Sequence, residues 1–477
     1  MEINRRTFLK SALGVTASGI LGILPGQAMG APSASIREFH FSASRARVRL
    51  GSGPEFTAWT YNGQVPGPEI RVKEGEIIRV VLKNFLPEGT TIHWHGVPVP
   101  NAMDGVPEVT QRPVMPGQTY VYEFEAKPAG SYIYHSHFHY QLDQGLYGPL
   151  IIESARSQES YDREYTLVLE DWVMRDGGGT APTSRRPSGM GMMMGGRGGR
   201  IQGLSPGSGP LLEPIYDGYA VNGRISPDIP PLIVKKGDRV KLRIVNPSSA
   251  TIYDLSLAGH SLTVTHMDAN RVQPLETDVL RIGMGERVDV EFFANHPGDW
   301  FLAARETGFG EGMLRVPVRY QGVSRKEPVP PLFHRRLRFA SYWDFRALHP
   351  AERKARDVER SYLQVLSGGM HSPFWTINGQ VYPRAERLLV RRGETVRIQY
   401  GNRSMMPHPM HLHGHFFKIV NPALPRNQWI SKDTVIVNPM ERVDIEFLAD
   451  NPGNWFHHCH NLYHMEAGMA NVVAYSS

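Results

Sequence analysis

Three long stretches of this chain repeat one another, and that repeat constrains the fold more than any other feature of the 477 residues. Asn62-Gly63 precedes a run from Lys73 to Asn84, Asn222-Gly223 precedes Lys235 to Asn246, and Asn378-Gly379 precedes Arg391 to Asn402. The closing asparagines lie 162 and 156 residues apart. Each unit then carries a second element, Val121-Tyr-Glu-Phe-Glu, Val288-Asp-Val-Glu-Phe or Val443-Asp-Ile-Glu-Phe, followed by a glycine and an aromatic run at Gly130, Gly298 or Gly453. These pieces alternate apolar and polar residues between Gly, Pro and Asn, which is the pattern of half-buried strands. Repeats of this length are domains rather than solenoid units, so the expectation is an all-β chain of three Greek-key β-sandwiches at 36–155, 160–322 and 335–477. The second unit carries an insertion, 175–210, rich in Gly and Met, whose composition predicts a mobile loop.

Composition narrows the setting. The 48 glycines and 37 prolines fit a chain of many turns. A net charge of +6 is spread along the sequence without a basic patch or nucleic-acid motif, so it reads as a solvated surface with no nucleic-acid partner. Arg5-Arg6 ahead of the apolar run Ser11 to Leu24, with small residues around Ala28 to Ala31, reads as a twin-arginine export signal over 1–31 and a periplasmic or otherwise exported protein. That run is short and broken by glycine, and no later segment approaches the roughly 20 apolar residues of a bilayer span, so no stable membrane insertion is expected after signal removal. Cys459 is the one cysteine, so no disulfide can hold the fold within the chain, and metal ligation would explain a lone exported thiol.

The repeat supplies a control for the histidines. Nine and eleven residues after the closing asparagine stand His93 and His95 in the first unit and His411 and His413 in the third, against Leu255 and Leu257 in the second. Five and seven residues after the glycine stand His135 and His137, then His458 and His460, against Ala303 and Arg305. Histidines required for packing would persist in the middle copy. In a strand, residues two apart face one way, so each His-x-His aims two imidazoles together, and four such pairs from two domains would enclose a metal cluster. Imidazole alone does not choose among copper, zinc, iron and nickel. Cys459 does: His408 upstream, with His464 and Met469 five and ten residues downstream, completes the two-imidazole, thiolate and thioether set of an electron-transfer copper.

His93-Trp-His-Gly96, His135-Ser-His137, His408-Pro-Met-His-Leu-His-Gly-His415 and the stretch from His458-Cys-His to Met469 resemble, in order and spacing, the four copper signatures of the multicopper oxidases. Val99-Pro-x-x-Met-Asp-Gly-Val-Pro107 and His460-Asn-Leu-Tyr-His-Met-Glu-Ala-Gly-Met469 are similar to the bacterial copper-resistance branch, cuprous-oxidase or laccase-like. The resemblance implies three cupredoxin-like domains, the middle one copper-free, and four coppers per chain. It assigns His408, Cys459, His464 and Met469 to type 1 copper, and His93 and His411 to type 2. The type 3 pair would take His95, His135, His137, His413, His458 and His460. His139, His415 and His457 match no ligand position and read as ordinary polar residues. The implied activity takes single electrons from a small-molecule or Cu(I) reductant and reduces dioxygen to water. Asp104 resembles the family's proton-supplying acid. Glu466 is a weaker match, because Met465 intervenes after His464. Met405, Met406, Met410 and Met465 flank the type 1 histidines, and Met190, Met192, Met193 and Met194 lie in the insertion. As soft ligands, these thioethers suggest Cu(I) as substrate and a role in copper tolerance. A laccase acting on phenols or aromatic amines is the alternative, and an exported copper-binding protein without turnover is the reading from another class.

Overall fold

Alternation becomes strand wherever one face meets a core. Along Ile77–Asn84 the residues Ile78, Val80, Leu82 and Asn84 are buried and those between are not, a period of two that only an extended chain with one covered face produces. The computed structural model describes residues 35–155, 159–174, 213–308, 312–323, 327–333, 336–348, 357–369 and 373–476. The export signal and Met190, Met192, Met193 and Met194 lie outside the described residues. Among the described residues the structure is almost all strand, the α-helix being the short Leu462–Glu466.

Six sheets form three pairs with one topology repeated. In the first pair Ile36–Arg49 runs parallel to Ile77–Asn84, which pairs antiparallel with Thr119–Glu125. Arg163–Trp172 with Arg239–Val245 and Arg287–Phe293 repeats this, as does Arg360–Ser367 with Thr395–Asn402 and Arg442–Leu448. The opposing sheets repeat a second set: His93–His95, Gly130–His135 and Tyr147–Glu153 in the first; Tyr253–Leu257, Asp299–Glu306 and Met313–Tyr320 in the second; His408–Leu412, Asn454–Cys459 and Ala470–Tyr475 in the third. Parallel neighbours within each sheet require crossovers, which is the Greek-key character expected of these sandwiches.

The repeated sequence anchors have structural causes. Asn62-Gly63, Asn222-Gly223 and Asn378-Gly379 all have positive φ at both residues, the requirement of a type I′ hairpin turn. The closing asparagines turn the chain off its strand: the Oδ1 atoms of Asn84, Asn246 and Asn402 accept the amides of Leu86, Ser248 and Ser404. A histidine outside the His-x-His pairs also recurs. His415 bonds the Tyr475 hydroxyl at 2.7 Å, and His260 of the middle unit bonds the Tyr320 hydroxyl at 2.7 Å. The middle copy thus keeps the histidine that the packing uses, and His415 has a structural partner.

Strand pairing corrects one correspondence. His93 stands opposite His135 and His411 opposite His458, whereas in the middle unit Ser256 stands opposite Ala303. The places of His93 and His95 are therefore taken by Ser256 and Ala258, not Leu255 and Leu257. Ser256 lies ten residues after Asn246, whereas His93 and His411 lie nine after Asn84 and Asn402, so the second unit has one more residue before this position. Counting along the chain misses that residue; hydrogen-bond register does not.

Candidate metal centre

Two strand pairs place the eight histidines of the His-x-His motifs around one buried volume. His93–His95 lies beside Gly130–His135, and His408–Leu412 lies beside Asn454–Cys459. The rings meet across the two units: His93 stacks on His413 and His95 on His411, each with centroids 3.8 Å apart. His458 Nε2 lies 3.0 Å from His413 Nε2 and 3.4 Å from His137 Nε2, and His135 and His460 approach to 5.4 Å between centroids. Burial pushes His95, His135, His137, His411, His413, His458 and His460 toward the neutral form; His135, for example, is pushed down to about 3 by desolvation, with His93 adding to the effect.

The donor atoms fit a metal. His93 Nε2, His95 Nδ1, His135 Nε2, His411 Nε2 and both ring nitrogens of His460 are buried without a hydrogen-bond partner. A buried polar atom left unpaired costs about 1–3 kcal/mol, so six in one place point to a missing ligand. The outer nitrogens are occupied: His93 Nδ1 donates to the Asp104 carbonyl at 2.8 Å, His411 Nδ1 to the Asp433 carbonyl at 2.8 Å, and His135 Nδ1 to the Ser136 carbonyl at 2.9 Å. Each of these bonds fixes the tautomer that leaves the inner lone pair free.

The second site lies on the other face of the same strand, because Cys459 alternates with its neighbours His458 and His460. Cys459 Sγ is 3.6 Å from both His408 Nδ1 and His464 Nδ1, and these two nitrogens are 3.1 Å apart. A triangle with those sides has a centre about 2 Å from each corner, the length of a metal–imidazole bond. All three side chains are buried, and Met469 is buried in the same apolar cluster as Cys459. Asn461 caps the helix Leu462–Glu466 by accepting the Tyr463 and His464 amides, and this aims His464 at the thiol. Ser404 Oγ bonds His408 Nε2 at 2.8 Å, and the Trp375 ring lies 4.0 Å from His464.

The remaining sequence candidates divide. Asp104 is fully buried at the end of the turn Asn101–Met103, and its carboxylate accepts His413 Nδ1 at 3.0 Å, so it is far more than a turn residue. Gly105 after it has φ +81°, and a Cβ there would lie 1.9 Å from the Ile92 carbonyl, so the approach that seats Asp104 admits only glycine. Glu466 lies on the cluster side, in a cavity of about 430 Å³ whose lining includes His137, Phe138, Met465 and His139. His139, taken as an ordinary polar residue, faces Glu466 there at 3.4 Å. Met465 belongs to that cavity rather than to His464's outer edge, and Met410 is fully buried opposite Cys459, so neither flanks an open type 1 doorway. Met405 is exposed, and Met406 packs onto the core cluster that holds Cys459. His457 is satisfied by Tyr400 and Asn471, a structural role as expected.

Sequence reading missed four residues. Glu213 comes from the middle unit, where its Oε2 lies 3.7 Å from His464 Nε2 and burial pushes its carboxyl up to about 7. Nothing in its local sequence marks it. Trp375 is likewise placed only by the fold. Arg287 and Asp433 form a fully buried pair, and Asp433 had a signal: Lys432-Asp433 interrupts the apolar stretch from Trp429 to Val437.

Family models described as multicopper oxidase match residues 43–157, 163–322 and 357–477. Multicopper oxidase MmcO of Mycobacterium tuberculosis (strain ATCC 25618 / H37Rv) is 35% identical, covering 90% of this chain and 85% of its own. Copper resistance protein A of Escherichia coli is 27% identical, with 99% of both chains covered. The fold is similar to the crystal structure of Fet3p, a multicopper oxidase that functions in iron import, with a TM-score of 0.77 at 21% identity over 93% of this chain and 91% of that one.

Proposed function

This chain belongs to the multicopper oxidase family, and from that premise we propose that it oxidises cuprous ion at a type 1 copper, coupled to reduction of dioxygen to water at a three-copper cluster. The reading assigns His408, Cys459, His464 and Met469 to the type 1 copper and His93 and His411 to type 2. It gives His95, His135, His137, His413, His458 and His460 to the type 3 pair, four coppers in all. Bound copper supplies the one-electron redox chemistry. The chain's own residues supply the rest. Cys459 stands between His458 and His460, so three consecutive residues join the two centres by a covalent path. Asp104 orients His413 through Nδ1 and is the acid nearest the cluster's imidazoles. Glu466 lines the cavity that reaches His137 and is the second acid for protons arriving from solvent. Strands and buried aromatic rings exclude water around the histidines. Domain limits of 36–155, 160–322 and 335–477, and export through the twin-arginine segment 1–31, belong to the same proposal.

The observation that carries the choice of substrate is Glu213. A carboxyl 3.7 Å from the outer edge of His464, raised to about 7 by burial, ionises at and above neutral pH, where it attracts a cation and offers a phenol ring little. Soft thioethers suit Cu(I), with exposed Met405 and with Met406 three and two residues before His408, and with Met190, Met192, Met193 and Met194 in the insertion. A relative named for copper resistance agrees with this reading. Oxygen uptake by copper-loaded protein, with Cu(I) compared against a phenol, tests it. Glu213→Gln and deletion of 190–194 are each expected to raise KM for Cu(I) several-fold and leave phenol oxidation unchanged or faster. Ready phenol turnover with no Cu(I)-dependent uptake would replace the reading with a laccase. No uptake with either reductant would leave a copper-binding protein.

A further inference from the structure

The middle unit carries none of the proposed copper ligands, yet its Arg287 reaches the cluster's outer partners. Arg287 is fully buried, and its guanidinium grips Asp433 of the third unit with two hydrogen bonds, Nη1 to Oδ1 and Nη2 to Oδ2, both 2.6 Å. Its Nε donates to the Ser131 carbonyl of the first unit at 3.1 Å. Gly96 of the first unit passes so close that a Cβ there would lie 2.3 Å from Arg287 Nη2 and 2.7 Å from Asp433 Oδ2. All three units therefore meet at this pair.

Asp433 in turn faces the imidazoles. Its Oδ1 lies 3.2 Å from His95 Nε2 and 3.5 Å from His411 Nδ1, the nitrogens turned away from the cluster's interior, and its main-chain carbonyl accepts His411 Nδ1 at 2.8 Å. Thr434 Oγ1 donates to the same Oδ1 at 2.9 Å and lies within 3.2 Å of His95 Nε2. Behind the pair, Lys432 lies between Asp268 and Glu286 at 2.9 and 3.0 Å, all buried. His95, His411 and Asp433 have the spacing of a metal site. Arg287 holds both carboxylate oxygens, however, so the acid acts as an outer partner of the two rings. Burial by itself would raise the Asp433 carboxyl, but the adjacent guanidinium holds it well below the usual carboxylate range. The middle unit also touches the rings directly: a Cβ on Gly285 would lie 2.7 Å from His460 and 2.8 Å from His95.

We propose that Arg287 is a positioning residue for the copper cluster: its two-pronged grip sets Asp433, whose carboxylate holds His95 and whose main-chain carbonyl holds the stacked His411, both with their free nitrogens turned inward. The fork matters because an ammonium cannot hold both carboxylate oxygens in one plane. The pair His95–His411 joins one type 3 ligand to one type 2 ligand, so a loosened Asp433 weakens both kinds of copper at once. Every type 1 ligand comes from the third unit, so that site is an internal control. This inference rests on the ligand assignment proposed above.

The test uses the copper-loaded full chain and Arg287→Lys, with Arg287→Met beside it. Copper retention is measured against a graded chelator, with the type 2 electron paramagnetic resonance signal and the blue absorption followed in the same samples. The expected result is type 2 and type 3 copper held about 10–100-fold more weakly in Arg287→Lys while the blue band persists. Wild-type retention in Arg287→Lys would overturn the proposal, because charge without the fork would then suffice. Loss of the blue band in step with the cluster would overturn it too, by showing that Arg287 supports the whole interface and not two imidazoles. His411→Ala tests the underlying assignment separately: an unchanged type 2 signal in that variant refutes the ligand reading, whatever Arg287 does.

Discussion

Replacing Asp104 with asparagine removes one charge and almost no volume from a fully buried site, so its consequence can be worked out from the contacts. The carboxylate accepts His413 Nδ1 at 3.0 Å, while His93 Nδ1 is held at 2.8 Å by the main-chain carbonyl of the same residue. The carboxylate Oδ1 also lies 3.2 Å from His93 Nδ1, but that ring keeps its shorter bond to the main-chain carbonyl, so the substitution weakens chiefly the first bond. A hydrogen bond to a charged group contributes about 1.5–3 kcal/mol and a neutral one about 0.5–1.5, so the loss is roughly 1.4 kcal/mol, or tenfold in affinity. Asp104→Asn should therefore hold type 3 copper about tenfold more weakly, with the type 2 signal retained and the blue band unchanged. Chelator titration with copper counting, followed by electron paramagnetic resonance, reads this directly. If the side chain instead acts only in proton supply, copper retention will match the wild type and the defect will be slow oxygen reduction at full loading. Preferential loss of type 2 copper would refute the reasoning, since it would mean that the side chain, not the carbonyl, positions His93.

Two further outcomes follow from the same contacts. Cys459→Ser should abolish the blue absorption and the activity while the cluster keeps copper, measured by visible spectroscopy and metal content; a persistent blue band would remove Cys459 from the type 1 site. Asp289→Asn should cost about 3–5 kcal/mol in urea unfolding, because buried Lys241 and Arg243, each 3.0 Å from that carboxylate, lose its charge. Burial alone would raise the Asp289 carboxyl, but Lys241 and Arg243 hold it well below the ordinary range, so its stabilisation is present above about pH 4 and withdrawn as pH falls further. The variant should lose that part of the acid dependence, and an acid limb as steep as the wild type's would contradict the assignment.

The sequence by itself determined the strands, their threefold repetition and the copper signatures, because each is written in local chemistry. Period-two burial, Asn-Gly turns and His-x-His spacing depend on residues a few positions apart. The middle copy showed which histidines the packing does not need, and His260 with Tyr320 shows one that it does. Tertiary structure alone decided what meets from distant parts of the chain. Glu213 and His464 are 251 residues apart, and Arg287 and Asp433 are 146 apart. The one-residue offset that moves the correspondence from Leu255 to Ser256 is fixed by hydrogen-bond register, which has no signature along a single strand. The proposed ligands were legible because metal geometry imposes spacing on consecutive residues. The groups that orient those ligands were not, because an outer partner need only arrive at the right nitrogen, and any element of the fold can bring it there.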